Sequence, residues 1–166
     1  YMGAWHDQSA SDEAGRPIYK DMEYIQIGVK EGAQLFGGER LTRSTHGFFL
    51  EPALFSETSP DMRINREEIF GPVASVIRAK DYEEALALAN ATEFGLSAGI
   101  CTQSLKYATH FRRAAQAGMV MVNLPTAGVD YHVPFGGRKA SSLGSREQGS
   151  YSREFYTTVK TSYTLA

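Results

Sequence analysis

The sequence predicts an α/β fold with a mostly parallel sheet, and an alternation of strands and helices in its middle carries that prediction. Short apolar runs at Val73–Ile77, 96–102 and Met119–Val122 lack the polar alternation of a half-exposed strand, which is typical of strands buried on both faces. Two helical patterns separate them, at 81–90 and 104–117. This order favours parallel strands joined by right-handed crossovers, so we expect all three runs in one sheet.

Start and stop signals bracket the two helices. Asp81 with Glu84 three residues later is typical of a capping box, with Asp in the place of Ser or Thr. Gly118 follows the second helix as a stop signal. Apolar residues recur on one side of each helix; they are Tyr82, Ala85, Leu86 and Ala89 in the first, and Leu105, Ala108, Phe111 and Ala115 in the second.

A third helix is expected earlier in the chain, over residues 18–31. Pro17 suits its first turn and Gly32 is a stop signal. Its apolar stripe at helical spacing consists of Ile18, Met22, Ile25 and Val29.

Three segments outside these elements have weaker patterns. Residues 1–15 are polar and unperiodic, which favours a loop. Residues 47–55 surround Pro52 and predict an extended segment that is not a central strand, because proline cannot donate to a sheet. Residues 155–165 are rich in Thr, Tyr and Val and predict a further strand.

The composition excludes several classes of function. The 166 residues include 42% hydrophobic and 22% charged residues, as in soluble globular proteins. A formal charge of −2 without basic runs argues against nucleic acid, and no apolar run approaches the about 18 residues of a membrane span. An acidic N-terminal region in place of a signal peptide predicts a cytoplasmic protein. One cysteine and four dispersed histidines exclude an intrachain disulfide and predict no metal site.

A series of short motifs occurs in one order between residues 67 and 161. They are EEIFGPV at 67–73, NATEFGLSAG at 90–99, GMVMVN at 118–123, PFGGRK at 134–139, REQG at 146–149 and YTTVKT at 156–161. With these motifs the chain resembles the C-terminal part of members of the aldehyde dehydrogenase superfamily. The resemblance begins at about Met22. The loop at 124–133 resembles the branch that oxidises α-ketoglutarate semialdehyde (2,5-dioxovalerate).

The resemblance implies oxidation of an aldehyde to a carboxylate with NAD or NADP, and gives roles to residues of this chain. Glu68 matches the carboxylate that binds the nicotinamide ribose, which suits an acceptor of two vicinal hydroxyls; the alternative is a surface or helix-capping carboxylate. Phe70 matches the ring that packs near the nicotinamide; the alternative is a core phenylalanine before a Gly-Pro turn. Phe135 matches a residue that lines the aldehyde tunnel. Asn123 matches the asparagine that closes a strand behind the catalytic loop, or is a plain turn former.

Glu147 matches a glutamate that passes protons outward in some family members. Its spacing from Phe135 is one residue longer than the common pattern, so a partly exposed structural glutamate is the favoured alternative. The resemblance also divides the chain into an atypical segment at 1–20, a partial catalytic domain at 21–150 and an oligomerisation strand at 151–166. That strand implies a homo-oligomer, with a small-molecule aldehyde as the substrate.

The groups that perform the family's chemistry precede the matching region. They are the thiolate that attacks the aldehyde, the glutamate base, the asparagine of the oxyanion site and the dinucleotide-binding domain. Cys101 lies in the expected strand 96–102 without a neighbouring base, and a buried thiol is a poor nucleophile. We therefore expect no catalytic residue and no bound NAD or NADP in this chain alone.

Three hypotheses remain for the chain. It is part of an aldehyde dehydrogenase, a non-enzymatic module that kept the fold to bind or to oligomerise, or a small enzyme of another type. The motif series favours the first hypothesis. The third needs a nucleophile or a paired acid and base, which the sequence does not offer.

Overall fold

The computed structural model describes residues 6–11, 17–45, 47 and 49–165, with side chains from Lys20 onward, and it confirms the α/β class. Its strands are β1 His6–Ser11, β2 Pro17–Tyr19, β3 Gln34–Gly37, β4 Arg40–Leu41, β5 Phe49–Leu50, β6 Ala53–Thr58, β7 Val73–Ile77, β8 Ser97–Ile100 and β9 Met119–Val122. Its α-helices are α1 Lys20–Lys30, α2 Arg63–Arg66, α3 Tyr82–Asn90, α4 Leu105–Ala114 and α5 Ser152–Phe155. None of the described helices is long and apolar enough to cross a membrane.

The chain divides into two compact units, Tyr1–Ala79 and Lys80–Ala166. The framework of the first unit is a mixed sheet in the order β3–β6–β7, in which β3 is antiparallel and β7 parallel to β6. Two antiparallel pairs, β1–β2 and β4–β5, accompany it. Its buried core consists of Tyr24, Ile25, Ala33, Ala53, Phe55 and Ile64.

The stripe that helix α1 buries is rotated from the predicted one and shares Ile25 with it. The buried residues are Asp21, Tyr24, Ile25 and Gly28, whereas Val29 is 50% exposed. Gly28 explains the rotation, because a Cβ there would lie 2.7 Å from the Phe55 ring, so its absence lets the helix approach β6. Pro17 belongs to β2 and not to the helix, which begins at Lys20.

The predicted stop at Gly32 is confirmed. Gly32 has φ +94°, which favours glycine. Its N–H donates to Val29 O at 3.1 Å, and the Ala33 N–H donates to Gly28 O at 3.0 Å. This pair of bonds is a Schellman motif, and it satisfies carbonyls that the end of the helix would otherwise leave unpaired.

Two predictions for the first unit are wrong. In the expected loop at 1–15, His6–Ser11 forms β1, because β2 supplies the pairing that its polar pattern does not indicate; the rest of that range lies outside the described residues. Ala53–Thr58 is the central strand of its sheet. Pro52 does not prevent this, because it immediately precedes β6 and leaves every donor of the strand intact.

In the second unit, β8 and β9 pair in parallel with continuous register from Ser97↔Met119 to Ile100↔Val122. Helices α3 and α4 occupy the predicted ranges, apart from a few residues at their ends. The capping prediction at Asp81 is confirmed, because its side chain accepts a 2.8 Å hydrogen bond from the Glu84 N–H.

The expectation of one sheet for all three apolar runs is wrong. β7 pairs with β6 in the first unit, while β8 and β9 form a separate two-stranded sheet. The partner of β7 is the strand next to Pro52, which the sequence did not identify as central. The predicted helix faces are also only partly buried: Phe111 is 5% exposed, but Leu105 is 79% exposed, and Ala85 and Ala89 are exposed.

The predicted strand at 155–165 is not formed within the described part of the chain. Helix α5 ends at Phe155, and residues 156–165 are in neither helix nor strand. Val159, Tyr163 and Leu165 are more than nine-tenths exposed. A strand requires the backbone of a partner, and among the described residues no other segment pairs with this one.

Candidate functional site

The segment Glu67–Gly71 directs two of the predicted site residues outward. Glu68 is exposed, and Phe70 is 69% exposed, so the alternative of a core phenylalanine is wrong. Phe70 also has φ +60°. That conformation costs a non-glycine residue on the order of 1–3 kcal/mol, so the surrounding structure must support it.

Glu67 joins this turn to helices α1 and α2. Nε and Nη2 of Arg63 donate to its two carboxylate oxygens at 2.9 and 2.8 Å. The Tyr24 hydroxyl donates to Oε2 at 2.7 Å. The bonds from Arg63 and then from Tyr24 lower the pKa of Glu67 to about 2. The same bond to Glu67 holds the phenolic proton and raises the pKa of Tyr24.

Two residues in the first turn of α1 contact the segment Glu67–Gly71 at positions after Glu67. Lys20 Nζ donates to the main-chain oxygen of Glu68 at 3.3 Å. The carboxyl of Asp21 is 1% exposed and lies against Gly71, where a Cβ would overlap its atoms. Burial raises the pKa of Asp21, and among the described residues its Oδ2 has no hydrogen-bond partner.

Phe135 and Glu147 belong to the second unit, and the backbone brings them together. The Glu147 N–H donates to Phe135 O at 3.0 Å. The Phe135 side chain is half-buried, whereas Glu147 is exposed. Next to Glu147 in the sequence, Arg146 donates from Nη1 to the oxygen of the buried Gly137, and this bond anchors the loop at 134–139.

Asn123 closes the end of the β8–β9 pair with its side chain. Its Oδ1 accepts from the Thr102 N–H at 2.8 Å, and its Nδ2 donates to Thr102 O at 2.9 Å. The amide therefore reproduces a backbone pairing, and Asn tolerates the φ of +56° found there. The Asn90 side chain also bonds to backbone on both sides, but to two residues: it donates to Ala114 O at 3.0 Å and accepts from the Gln116 N–H at 2.8 Å.

The motif at 134–139 is bound to the motif at 90–99. The Arg138 N–H donates to Gly95 O at 2.9 Å. Lys139 Nζ donates to the main-chain oxygens of Asn90 and Thr92 at 2.7 and 2.8 Å. These oxygens lie at the C-terminal end of α3, where a cation is favourable.

Glycines allow this close packing of loops. A Cβ at Gly118 would overlap Gly136 O, and a Cβ at Gly137 would lie 2.7 Å from the Ser141 side chain. The two loops therefore approach each other backbone to backbone, which no larger residue would permit.

Cys101 is exposed, so the expectation of a buried thiol is wrong. β8 ends at Ile100, one residue before it, and Ser97 and Gly99 within the strand are themselves exposed, so the expected burial of this strand on both faces is wrong as well. In the described part of the chain no His, Cys, Asp or Glu residues form a group of three that could hold a metal ion.

The predicted residues thus fall in separate units, Glu68 and Phe70 in the first, Phe135 and Glu147 in the second. The structure adds a set of supporting residues that sequence reasoning missed: Lys20, Asp21, Tyr24, Arg63 and Glu67. The i, i+4 spacing of Arg63 and Glu67 is the one signal that could have indicated part of this set.

Comparisons with known proteins agree on one family. The model of the aldehyde dehydrogenase family matches residues 14–162. An α-ketoglutarate semialdehyde dehydrogenase of Haloferax volcanii is 46% identical over 86% of this chain and 30% of its own length. An aldehyde dehydrogenase of Aspergillus niger is 47% identical over 96% of this chain and 35% of its own length. The chain therefore spans about a third of the length of these relatives.

Solved structures show the same relationship. The indole-3-acetaldehyde dehydrogenase AldA of P. syringae, in a complex with NAD⁺, superposes with a TM-score of 0.78 and 39% identity. The match covers 85% of this chain and 28% of that one. An NAD-dependent aldehyde dehydrogenase of Sinorhizobium meliloti gives a TM-score of 0.77 at 38% identity, over 88% of this chain and 30% of its own. With a family match over most of its length, the chain belongs to the aldehyde dehydrogenase family.

Proposed function

We propose that this chain provides part of the cofactor-facing and substrate-facing walls of an NAD(P)-dependent aldehyde dehydrogenase, and that it is inert alone. The observation that supports this best is the braced turn at Glu67–Gly71. It exposes the carboxylate of Glu68 and the ring of Phe70, which are two positions apart in the sequence, and Phe70 has a strained conformation. Strain of this kind, maintained at an exposed position, is typical of functional sites.

Glu68 and Phe70 fit the nicotinamide half of the cofactor. The exposed carboxylate of Glu68 is free to accept hydrogen bonds from two adjacent ribose hydroxyls. The exposed ring of Phe70 offers an apolar surface against which the nicotinamide can pack. The bound cofactor would accept hydride from the substrate, while these two residues orient its ribose and ring.

On the substrate side, we propose an aldehyde that carries a carboxylate, α-ketoglutarate semialdehyde. The support is the sequence of the loop at 124–133, which resembles that of this branch, and the identity of two relatives, the α-ketoglutarate semialdehyde dehydrogenases of Haloferax volcanii and Bacillus subtilis. Phe135, half-buried beside this loop in sequence, would line the aldehyde's path. Glu147, which is exposed, is a proton acceptor at its outer end under the same proposal.

The chain alone is not expected to bind the cofactor tightly. Glu68 contributes at most a pair of hydrogen bonds to a charged group, each worth about 1.5–3 kcal/mol. Association costs roughly 4–15 kcal/mol, so the expected affinity for NAD is about millimolar or weaker. We also propose that the chain alone performs no chemistry, because Cys101 is its one thiol and no hydrogen bond among the described residues joins that thiol to a base.

The test is NADH production from α-ketoglutarate semialdehyde and from a simple aliphatic aldehyde, together with calorimetric titration with NAD. The chain alone should give neither turnover nor saturable heat. A chimera in which residues 14–162 replace the matching part of the Haloferax volcanii relative should oxidise the semialdehyde. Turnover by the chain alone that disappears in Cys101→Ser would overturn the proposal, and so would an inactive but folded chimera.

A second role, as an oligomerisation module, has support from the segment 156–165. Its exposed Thr, Val and Tyr side chains are typical of a strand that pairs with another chain. We propose a dimer or larger homo-oligomer. Light scattering should show association that is lost when residues 156–165 are deleted, and a monomer at every concentration would contradict this role.

A further inference from the structure

We infer that helix α1 is a positioning platform for the cofactor-facing turn, acting through Glu67 and Gly71 to hold Glu68 and Phe70. The inference rests on the proposed function of Glu68 and Phe70. It assigns supporting roles to residues that contact the ends of the turn: Tyr24 and Asp21 on α1, together with Arg63 on α2.

The first anchor is at the start of the turn. Glu67 receives the two-pronged guanidinium of Arg63 and the hydroxyl of Tyr24, with all three distances between 2.7 and 2.9 Å. Charge-assisted bonds of this kind are directional, so they restrict the orientation of Glu67 as well as its position. Tyr24 is 9% exposed and belongs to the core of the unit, so one end of the anchor is rigid.

The second anchor is at the end of the turn. The Asp21 carboxyl is buried against Gly71, and a Cβ at that glycine would approach Oδ2 to 2.6 Å. The Gly71 oxygen in turn accepts from the Val73 N–H at 2.8 Å, which closes a tight turn at the start of β7. The helix and the sheet therefore hold the Gly71 backbone between them.

Between the two anchors, the turn is supported at its middle residue. Lys20 Nζ donates to the Glu68 main-chain oxygen, and the half-buried Ile69 packs against the core of the first unit, to which α1 contributes. Phe70 keeps its φ of +60° because Ile69 and Gly71, the residues on both sides of it, are fixed. The backbone of the turn is therefore held, while the side chains of Glu68 and Phe70 remain exposed and can contact a ligand.

A contact with a structural role alone would change stability and leave the local order of Glu68 and Phe70 intact. The test variants are therefore Tyr24→Phe and Arg63→Ala, and each has a matched control. Tyr82→Phe is the control for Tyr24→Phe, because it removes another hydrogen-bonded hydroxyl, in the second unit. Arg78→Ala is the control for Arg63→Ala, because it removes another exposed Arg–Glu pair, in the first unit. The primary measurement is ¹⁵N relaxation of the isotopically labelled chain without cofactor.

In the unmodified chain, order parameters from Glu67 to Gly71 should be near about 0.85, and in Tyr24→Phe and Arg63→Ala those of Glu68 and Phe70 should fall toward about 0.6. The two control variants should leave them unchanged. Gly71→Ala should produce the same local loss, because its methyl group would displace the Asp21 carboxyl from the end of the turn. This third variant, at the other anchor, keeps the inference testable if Tyr24→Phe or Arg63→Ala fails to fold.

Unchanged order at Glu68 and Phe70 in the two anchor variants would overturn the platform. A second arm measures NAD binding by calorimetry in the chimera with the Haloferax volcanii relative, because the chain alone is expected to bind NAD weakly. An affinity that falls at least about threefold when Tyr24→Phe is introduced into the chimera supports the inference, and an unchanged affinity contradicts it. A folded chimera that binds no NAD, while order at Glu68 and Phe70 is still lost in the variants of the chain, would instead count against the proposed function.

Discussion

Asn123→Asp tests how the second unit closes its pair of parallel strands. The substitution keeps the shape of the side chain and its acceptor for the Thr102 N–H. It replaces the amide donor, 2.9 Å from the Thr102 oxygen, with a carboxylate oxygen that repels it. Loss of one hydrogen bond costs about 0.5–1.5 kcal/mol. With the repulsion added at this exposed site, we expect a loss of stability of about 1.5–3 kcal/mol.

The stability of Asn123→Asp should also depend on pH, and the direction of that dependence follows from the bond to Thr102. A protonated Asp can donate to the Thr102 oxygen, so the folded state raises the pKa of the new carboxyl above its unfolded value of about 3.9. The variant therefore keeps its stability below about pH 3.9 and loses it as the pH rises through the folded pKa. The penalty should be fully present at neutral pH and should shrink as the pH approaches about 4.

The assay is thermal unfolding followed by circular dichroism at several pH values. For a chain of this size about 2–4 °C corresponds to 1 kcal/mol, so Tm should fall by about 3–12 °C at neutral pH. Gln103→Glu is the matched control, since it introduces the same charge at the exposed neighbour of Thr102. An equal Tm for Asn123→Asp and the unmodified chain at neutral pH would refute the role given to the amide.

Three further predictions follow from the structure. Cys101 should react stoichiometrically with Ellman's reagent without denaturant, because it is exposed; a thiol that reacts only after unfolding contradicts the structure. Gly118→Ala should lower Tm by more than about 5 °C, because its methyl group would overlap Gly136 O and overpacking costs about 1–3 kcal/mol or more; an unchanged Tm would show that the loops can separate. The carboxyl of Glu67 should titrate near about 2 by NMR and move toward about 4.3 in Arg63→Ala. Since this pKa is lowered on folding, the associated stability is present above about 4.3 and is lost as the pH falls through about 2.

Local signals in the sequence predicted where helices begin and end better than they predicted which elements pack or pair with one another. Capping at Asp81 and the stop at Gly32 depend on residues a few positions apart, and both are present. The stripe of α1 depends on what the helix packs against. Gly28 brings it close to Phe55 and turns Val29 outward, which periodicity alone does not indicate.

Long-range pairing was the main source of error. β7 was assigned to one sheet with β8 and β9, but its partner is β6, which follows a proline that argued against a central strand. Cys101 was placed inside a buried strand, but the strand ends one residue earlier and its neighbours cover it so little that Ser97 and Gly99 are exposed. Both errors concern boundaries and neighbours, which are set by the assembled backbone.

The candidate site shows the same division. Glu68 and Phe70 were identified through a motif, and they are exposed on a turn as a binding role requires. The support from Asp21 and Tyr24 joins residues more than 40 positions apart, and no short pattern in the sequence connects them.

The contacts among the motifs at 90–99, 118–123 and 134–139 limit what membership of the family implies about activity. Asn90, Gly95, Gly118 and Lys139 lie in the motifs by which the family is identified, yet their described contacts are with other residues of the second unit. A related protein that had lost the activity would therefore keep these residues for as long as it kept the fold. Such a signature is evidence of ancestry and construction, and catalysis has to be established separately, from a thiol, a base and a nucleotide pocket.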